Sequence, residues 1–449
     1  MNNREMVRRS LAAVWHPCTQ MKAHESVPML AVAGAKGPWL YDFEGNRYLD
    51  GVSSWWVNLF GHGHPQVNAA LKEQIDELEH VMLAGATHAP AVELAERLAR
   101  LAPGKLGHAF FGSDGASSTE IALKMAFHYW ANRGRAGKNR FVHLEGGYHG
   151  ETVGALGVTD VPAFRDTYAP LLRAGLPTPF PSRSETIAPT SWGPRDHQYR
   201  GARGAEEAAR ALERLLAERH DEIAAFIVEP LVQGASGMRM YHPDYLRRAR
   251  DLCTRHGVLL IADEIMTGFG RTGTMFACEQ AGIAPDILCL SKGITGGYLP
   301  LSCVLSSDEI YGAFYGDAAS QGFLHSHSYT GNPLACRAAC AVLDLFASED
   351  VIAENERRAA RFSAAAAPLA HHGGVRDFRH LGMIWAFEVV TTARDFSAQA
   401  WQLGLERGVL LRPIGNTVYF MPPYVTSEAE FDLLVQAGLA VVERFAESP

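Results

Sequence analysis

The chain has 449 residues, of which 47% are apolar and 20% charged, and its formal net charge is −8. This composition is typical of a globular protein, and the length suits two or three domains. The negative charge argues against a nucleic-acid-binding surface.

The seven cysteines lie scattered along the chain without a Cys-x-x-Cys pair. An odd, dispersed set without a secretory signal indicates reduced thiols. The apolar stretch near the N-terminus is too short and too interrupted for a signal peptide. No apolar run approaches the length that spans a bilayer. We therefore expect a cytoplasmic protein with no membrane segment and no nucleic-acid partner.

The N-terminal part begins with a predicted hairpin over Trp39–Asp50, with Glu-Gly-Asn at its turn. Trp55 and Trp56 follow, and they either wall an apolar substrate pocket or anchor this piece to the core. His62 and His64 have the spacing of metal ligands, but no third ligand is nearby in the sequence. We interpret these histidines as turn residues and predict no metal site.

From about residue 109, short apolar runs alternate with stretches of helical pattern. Near-continuous apolar strands separated by helices indicate a mostly parallel sheet covered on both faces. The predicted strands are Ala109–Phe111, Phe141–Leu144, Ile223–Val228, Val258–Ala262, Ile287–Leu290 and Leu299–Leu305, and the predicted helices include Ser118–Arg133, Gly204–His220 and Pro243–His256. The segment Ala174–Arg203 is rich in Pro, Arg, Ser and Gly and is predicted to be an exposed excursion.

A loop of small residues from Gly112 to Ser118 leads into the amphipathic run Ile121–Trp130. Such a loop leaves backbone N–H groups free to hold a phosphate, whose charge the helix dipole favours. The alternative, that Ser117 or Ser118 simply caps a helix, is as well supported by this segment alone.

An aromatic residue stands between glycines in Gly146–Gly150, directly after a predicted strand. Because glycines allow a ligand to approach closely, Tyr148 can lie flat against a planar ring. The alternative is a tyrosine packed over a turn.

Two predicted strands end in charged residues, Asp263 and Lys292. An unpaired ammonium at the end of a buried run is costly. A lysine held neutral or tied up in an imine is not. The pair fits a pyridoxal phosphate site, where the lysine forms a Schiff base and the aspartate partners the pyridinium nitrogen. A buried ion pair or two solvated strand ends are the alternatives.

Gly268–Gly273 matches the Gly-x-Gly-x-x-Gly dinucleotide pattern. However, these glycines do not stand directly at the strand end, and no apolar strand ending in an acid follows at the required distance. A nicotinamide-dependent oxidoreductase is therefore only a remote alternative.

After about residue 332 the pattern changes to long alanine-rich helices and short strands near Gly382–Val389 and Thr417–Phe420. Arg412 ends an apolar strand, where it suits bidentate capture of a substrate carboxylate or a structural salt bridge. We predict a large domain over residues 65–335 and a smaller α+β domain formed by residues 1–64 and 336–449.

Together these segments resemble the class III, fold-type-I pyridoxal-phosphate aminotransferases. The family signature is carried by Val228–Pro230, Ile261–Glu264, Gly268–Gly273 and Ser291–Gly293. The resemblance extends from about residue 14 to 425 and is strongest to the branch that aminates 8-amino-7-oxononanoate in biotin biosynthesis. The segments that carry it are Trp15–Pro17, Ser53–Trp56, Thr87–Pro90, Gly147–Gly150, Gln233–Met238, Gly331–Ala335, Arg412–Pro413 and Met421–Pro423.

The resemblance implies the fold, a large domain with a mostly parallel sheet plus a smaller domain from both termini, and roles for the cofactor-binding residues. Lys292 forms the Schiff base and then moves the proton between substrate and cofactor, and Asp263 keeps the pyridine nitrogen protonated. Gly115 and Ala116 give backbone N–H groups to the phosphate. Ser328 reaches the phosphate of the partner subunit, which implies a homodimer with shared active sites.

The resemblance also implies how substrate is held. Tyr148 stacks on the cofactor and belongs with Lys292 and Asp263 to the catalytic set. The substrate-binding set is Trp55, Tyr148, Lys292, Ser326 and Arg412, in which Trp55 walls the channel and Arg412 holds the carboxylate.

The activity implied is a ping-pong transamination that converts 8-amino-7-oxononanoate to 7,8-diaminononanoate, with S-adenosylmethionine as the expected amino donor. Lysine as donor, or another class III ω-aminotransferase activity, is the alternative. Ala116 and Ser328 stand where many relatives carry a serine and a threonine, and Cys18 where some carry a substrate-contacting tyrosine. The last change bears on substrate recognition.

Overall fold

The computed structural model of the protein describes residues 1–182 and 202–447. The chain divides into two compact units. The first unit combines Met1–Pro65 with Glu356–Pro449, and the second is Gln66–Asn355. The domain boundaries predicted at residues 64/65 and 335/336 stay a prediction.

The strands of the described residues are numbered in chain order. They are β1 Val32–Lys36, β2 Trp39–Asp42, β3 Arg47–Asp50, β4 His108–Gly112, β5 Arg140–Leu144, β6 Leu176–Thr178, β7 Ile223–Val228, β8 Val232–Gln233, β9 Arg239–Met240, β10 Leu259–Asp263, β11 Ile287–Leu290, β12 Ser302–Ser306, β13 Val375–Leu381, β14 Ile384–Val389, β15 Val409–Leu410 and β16 Thr417–Phe420.

The longer α-helices are Asn3–Ala13, Pro65–Glu77, Ala89–Leu101, Gly115–Asn132, Ala202–Arg219, Pro243–His256, Pro333–Ser348, Val351–Ala365, Phe396–Glu406 and Glu428–Phe445. Shorter α-helical segments are Val153–Gly157, Pro162–Arg165, Asp308–Phe314 and Ala367–Ala370. The segment Ser53–Trp56 is a single turn whose residues all have positive φ.

The second unit is built on a seven-stranded sheet of order β4-β12-β11-β10-β7-β5-β6. Strand β12 is antiparallel to β4 and β11, while the other neighbours pair in parallel. Every residue of β7, β10, β11 and β12 is buried. A strand covered on both faces has no polar side, which explains the continuous apolar runs. The predicted mostly parallel sheet is confirmed.

Helix Gly115–Asn132 covers one face of this sheet. Its apolar side chains, among them Ile121, Met125 and Tyr129, join the core formed with the sheet strands. Trp130 extends this face, and its indole N–H donates to the carbonyl oxygen of Ala224 on β7 at 2.9 Å. The helix is therefore fixed on the sheet by apolar burial and a buried hydrogen bond.

The prediction that Ala174–Arg203 is an exposed excursion is wrong for Leu176–Thr178, which form strand β6. This strand pairs in parallel with β5, with Leu176 opposite Val142. Leu176 and Thr178 are buried while Pro177 between them is exposed. An edge strand tolerates the missing N–H of a proline, so the Pro-rich composition hid it. Residues 183–201 of the predicted excursion lie outside the described residues.

The first unit contains two sheets, of order β1-β2-β3-β15 and β13-β14-β16. The predicted hairpin is confirmed as β2 and β3, and the Asp42 carboxylate caps its turn by accepting the N–H groups of Glu44 and Asn46 at 2.9 and 2.8 Å. Strand β15 runs parallel to β3, with Leu410 opposite Asp50. Segments from both ends of the chain thus share one sheet.

Among the described helices, none has the length and apolar character needed to cross a membrane.

Candidate active site

Lys292 and Asp263 lie at the same edge of the central sheet. Strands β10 and β11 are parallel neighbours with Asp263 opposite Cys289, and Lys292 follows the end of β11. Burial lowers the pKa of the Lys292 ammonium, although the Asp263 and Glu229 carboxylates oppose the shift. The strand order therefore brings together the two charged strand ends seen in the sequence, with a lysine that loses its proton more readily than an exposed one.

Asp263 is oriented by a buried histidine. Its Oδ2 lies 2.7 Å from Nδ1 of His149, and its Oδ1 accepts the backbone N–H of Ile265 at 3.1 Å. The backbone of His149 is itself held, since its N–H donates to Thr159 Oγ1 at 3.0 Å and its carbonyl accepts from Thr119 Oγ1 at 2.8 Å. Sequence reasoning gave His149 no role, although it stands in the glycine-flanked segment already singled out.

Glu229, directly after β7, is a second buried carboxylate beside Asp263. Its two oxygens accept the backbone N–H groups of Tyr148 and Gly234, each at 2.9 Å. Burial raises the pKa of Glu229 to about 7; the neighbouring His149 lowers it and Asp263 raises it further. This carboxylate therefore fixes the backbone that carries Tyr148. The sequence signature contains Glu229, but the pattern alone assigned it no function.

The loop that carries Tyr148 lies against the start of helix Gly115–Asn132. Gly150 has φ +119°, and a Cβ atom placed on it would come within 2.6 Å of the Ala116 Cβ. The Tyr148 hydroxyl donates to Glu151 Oε1 at 2.8 Å, and its ring is 5.2 Å from that of Phe164. A glycine is thus required for this close approach.

The proposed phosphate loop opens a helix that begins at Gly115. The helix cap is Asp114, whose Oδ1 accepts the Ser117 N–H at 2.9 Å. The predicted start at Ser118, and the alternative cap at Ser117 or Ser118, are therefore wrong, because the aspartate is the better-placed acceptor. Gly115 and Ala116 occupy the first helical positions, whose N–H groups have no acceptor within the helix and suit an anion.

Ser326 and Ser328 are exposed and belong to a non-helical segment before helix Pro333–Ser348. Between them, His327 Nδ1 lies 3.1 Å from Ser113 Oγ, so this segment lies beside the predicted phosphate loop of the same chain. The role predicted for Ser328 in the partner subunit stays a prediction.

Trp55 and Arg412 meet in the first unit. The guanidinium carbon of Arg412 lies 4.5 Å from the centre of the Trp55 ring, a cation–π distance. Trp55 is 41% exposed and lies in a turn, Ser53–Trp56, whose four residues all have positive φ, from 47° to 74°. This conformation costs roughly 1–2 kcal/mol per non-glycine residue. The tryptophan therefore presents its ring beside a cation from a strained backbone.

The Gly268–Gly273 pattern is a turn. It follows Glu264, whose buried carboxylate accepts the N–H groups of Ala277 and Cys278, both at 2.8 Å. Gly270 and Gly273 have positive φ, and the next element is the short 3-10 helix Ala277–Ala281. A dinucleotide loop would pass straight from a strand into a helix.

A family model described as aminotransferase class III matches residues 20–440. The chain belongs to the class III aminotransferases. This aminotransferase is 46% identical to the adenosylmethionine-8-amino-7-oxononanoate aminotransferase of Helicobacter pylori, with 96% of each chain covered. It is 40% identical to that of Geobacter sulfurreducens, with 94% of each covered.

Solved structures agree in fold. The adenosylmethionine-8-amino-7-oxononanoate aminotransferase of Methanocaldococcus jannaschii matches with a TM-score of 0.90 and 34% identity, covering 98% of this chain and 99% of that one. An amine transaminase from an uncultivated Pseudomonas species, in a pyridoxal-phosphate-bound form, matches with a TM-score of 0.87 and 34% identity, covering 97% and 99%. The predicted family and fold-type-I architecture are confirmed, and the nicotinamide alternative is wrong.

The cofactor of the class III aminotransferases is pyridoxal 5′-phosphate, and the residues of this aminotransferase fit it. A helix start suited to a phosphate, a lysine with a lowered pKa and a buried, oriented aspartate occur in one unit. Gly150 brings the Tyr148 loop against Ala116 at this helix start, so closely that a Cβ atom would clash there. The predicted cofactor is confirmed, while the roles of the individual site residues stay predictions.

Proposed function

We propose that the protein transfers an amino group to the 7-keto group of 8-amino-7-oxononanoate, giving 7,8-diaminononanoate in biotin biosynthesis. The Trp55–Arg412 pair is the observation that carries the proposal. An aromatic ring 4.5 Å from a guanidinium offers an apolar wall and a carboxylate partner, which suits a long aliphatic acid. The names of the relatives, which match over nearly the whole chain, support the same substrate.

Different residues of the site are proposed to bind the cofactor, to orient it and to transfer the proton. When bound, pyridoxal phosphate supplies a carbon that condenses with amines and a ring that withdraws electrons. Lys292 takes and returns the proton at the substrate carbon that bears the amine, and its lowered pKa makes it a better base near neutral pH. Asp263, held by His149, would partner the ring nitrogen and favour its protonated form. The N–H groups of Gly115 and Ala116 would bind the phosphate, and Tyr148 would stack on the ring.

We propose S-adenosylmethionine as the amino donor, as in the names of the relatives. The test mixes the purified yellow protein with either S-adenosylmethionine or lysine and follows the loss of cofactor absorbance in a single turnover. Addition of 8-amino-7-oxononanoate should then restore the colour and yield diaminononanoate by mass spectrometry. Lys292→Ala should abolish both half-reactions, and borohydride should attach a pyridoxyl group to Lys292.

Each outcome has a distinct meaning. If lysine reacts and S-adenosylmethionine does not, the proposed amino donor is wrong, and the proposal for 8-amino-7-oxononanoate as acceptor is unaffected. Decolorisation by an amine without any diaminononanoate would overturn the proposed acceptor and favour another ω-aminotransferase activity. Full turnover by Lys292→Ala would overturn the role of the lysine.

We also propose a cytoplasmic homodimer in which Ser328 reaches the phosphate of the other subunit. Light scattering should give the mass of two chains. A mixed dimer of one Lys292→Ala chain and one Ser328→Ala chain distinguishes the arrangement. If Ser328 acts across the dimer, one site keeps both intact residues and about half the wild-type activity remains. If Ser328 acts within its own chain, the mixed dimer is no more active than half of Ser328→Ala.

A further inference from the structure

The left-handed turn Ser53–Trp56 needs support from its surroundings. The φ values of Ser53, Ser54, Trp55 and Trp56 are 50°, 47°, 69° and 74°. Residues other than glycine rarely adopt such positive values. Such strain persists only where neighbouring contacts over-determine the conformation, and it clusters at functional sites. The groups that hold this turn therefore control where the Trp55 ring lies.

Asp50 is the main support. Its side chain is fully buried at the end of β3. Its Oδ1 accepts the Ser54 N–H at 2.9 Å, and its Oδ2 accepts the Ser54 hydroxyl at 2.7 Å. The carboxylate thus binds the residue directly before Trp55 twice. These two hydrogen bonds tie the backbone and the side chain of Ser54 to one buried group.

His62 completes the arrangement from the other side. Its Nε2 lies 3.0 Å from Asp50 Oδ2. Its backbone forms an antiparallel bridge with Gly37, and Gly61 and Gly63 on either side have positive φ. The histidine is therefore held in a tight turn that points its ring at the carboxylate. The spacing of His62 and His64 is typical of metal ligands, and the sequence interpretation is that both are turn residues. In the structure, His62 is a hydrogen-bond partner of Asp50.

The same aspartate is in register with the strand that leads to Arg412. Asp50 pairs with Leu410 in the parallel β3–β15 ladder, and Arg412 follows two residues later. The Arg412 guanidinium then lies 4.5 Å from the Trp55 ring centre. Asp50 thus holds the turn Ser53–Trp56 through its side chain and pairs with strand β15 through its backbone.

We propose that Asp50, supported by His62, is a positioning residue for carboxylate recognition. It holds Trp55 beside Arg412 so that the ring and the guanidinium together receive an aliphatic carboxylate. The inference rests on the proposed function, in which Arg412 binds the acid group of the substrate. Asp50 itself does not touch the substrate.

The test uses the holoenzyme and octanoate, a long aliphatic acid that cannot be aminated. Its Kd is measured by calorimetry, with 1-octanol as a probe that lacks the carboxylate. Asp50→Ala should weaken octanoate binding about tenfold or more, and Ser54→Ala, which removes one hydrogen bond, about threefold to fivefold. Asp50→Asn retains an acceptor for the Ser54 N–H and should restore much of the affinity. Octanol binding should change less than octanoate binding in each variant.

Asp42→Ala is the matched control. Asp42 is also a buried aspartate of the same hairpin, where it accepts from Asn3, Glu44, Asn46 and Tyr48. This variant should lose thermal stability but bind octanoate within about twofold of wild type. Equal losses in Asp42→Ala and Asp50→Ala, or wild-type affinity in Asp50→Ala and Ser54→Ala, would overturn the proposal. If Asp50→Ala does not fold, Ser54→Ala decides the matter.

The proposed function can fail separately. In that case the wild-type protein would bind octanoate yet leave 8-amino-7-oxononanoate unchanged, and the variants would still rank as above. A parallel KM measurement with 8-amino-7-oxononanoate should show KM rising more than kcat falls in Asp50→Ala. A fall in kcat alone would contradict a positioning role in binding.

Discussion

At the scale of single residues, the contact between Asp263 and His149 shows how a polar side chain is held in the interior of the protein. Both side chains are almost fully buried, and their nearest polar atoms are 2.7 Å apart. Removing one partner leaves a buried carboxylate without its main hydrogen bond, which is costly. The carboxylate would then be free to turn away from the ring nitrogen that it is proposed to face.

We therefore expect His149→Ala to weaken pyridoxal phosphate binding by at least about tenfold. Equilibrium titration of the apoprotein, followed by cofactor absorbance, measures this. His143→Ala is the control, since His143 is equally buried on β5, where burial lowers its pKa to about 4. It should lower stability without changing cofactor affinity. Equal cofactor affinity in wild type and His149→Ala would contradict the role of His149.

Glu264 shows a different consequence of burial. It is fully buried and accepts hydrogen bonds from three neutral donors, Ala277, Cys278 and Thr267. Burial raises its pKa from 4.5 to about 7. Below pH 4.5 the group is protonated in both the folded and the unfolded chain, and as pH rises the unfolded chain ionises first. The free energy of unfolding therefore falls as pH rises towards 7, by about 3 kcal/mol at about 1.36 kcal/mol per pKa unit.

Glu264→Gln should remove this pH dependence. The melting temperature of wild type relative to the variant should fall between about pH 5 and pH 8, even if the variant is less stable at every pH. Glu73→Gln, the same substitution at an exposed position, is measured over the same pH range as the control. A wild-type–variant difference that does not change with pH would show that Glu264 is ionised throughout.

At the scale of elements, the site depends on how closely a loop and a helix start approach. Gly150 and Gly134 both have positive φ, but only Gly150 is crowded, by Ala116. A Gly→Ala change at Gly134 meets open space and should cost about 1 kcal/mol through backbone strain alone. Gly150→Ala adds a steric clash to that strain.

We expect Gly150→Ala to lower the melting temperature more than Gly134→Ala and to reduce the cofactor content of the purified protein. The reason is that Ala116, whose N–H is proposed to bind phosphate, must move to admit the new methyl group. Absorbance and thermal unfolding of both variants measure these effects. Equal behaviour of the two variants would mean that the Gly150–Ala116 approach has no bearing on the site.

Most elements follow from the sequence because their signals are local. Strand β7 was predicted at its observed bounds, Ile223–Val228, and helix Pro243–His256 likewise. The strand is signalled by a continuous apolar run, and the helix by apolar residues at helical spacing that end at Gly257, whose φ is 59°. Both signals depend only on residues near in sequence. The sequence does not predict strand β6, because its pairing with β5 at the edge of the sheet is not visible in a Pro-rich composition. It also does not predict the helix start at Gly115, which depends on the hydrogen bond from the Ser117 N–H to the Asp114 side chain.

At the scale of the whole molecule, the thiols report on folding. All seven cysteines are free; Cys18 is exposed and the other six are buried. Burial raises the pKa of several, for example to about 12 for Cys253 and Cys340, so that the reactive thiolate is scarce. We expect a thiol reagent to modify one group rapidly in the native protein and seven after denaturation. Cys18→Ser should remove the rapid phase, and fewer than seven thiols in denaturant would reveal a disulfide.

The sequence by itself determined the mostly parallel sheet, the position of Asp263 at the end of one strand and of Lys292 just after the end of another, and the family. Parallel strands end at one edge, so charged residues that follow apolar runs are brought together by topology alone. Tertiary structure alone decided the pairing of His149 with Asp263, the hold of Glu229 on the Tyr148 loop, and the support of the Trp55 turn by Asp50 and His62. These contacts join segments far apart in the chain or turns without periodicity. No local pattern encodes them, since each depends on which buried polar groups find partners once the strands have paired.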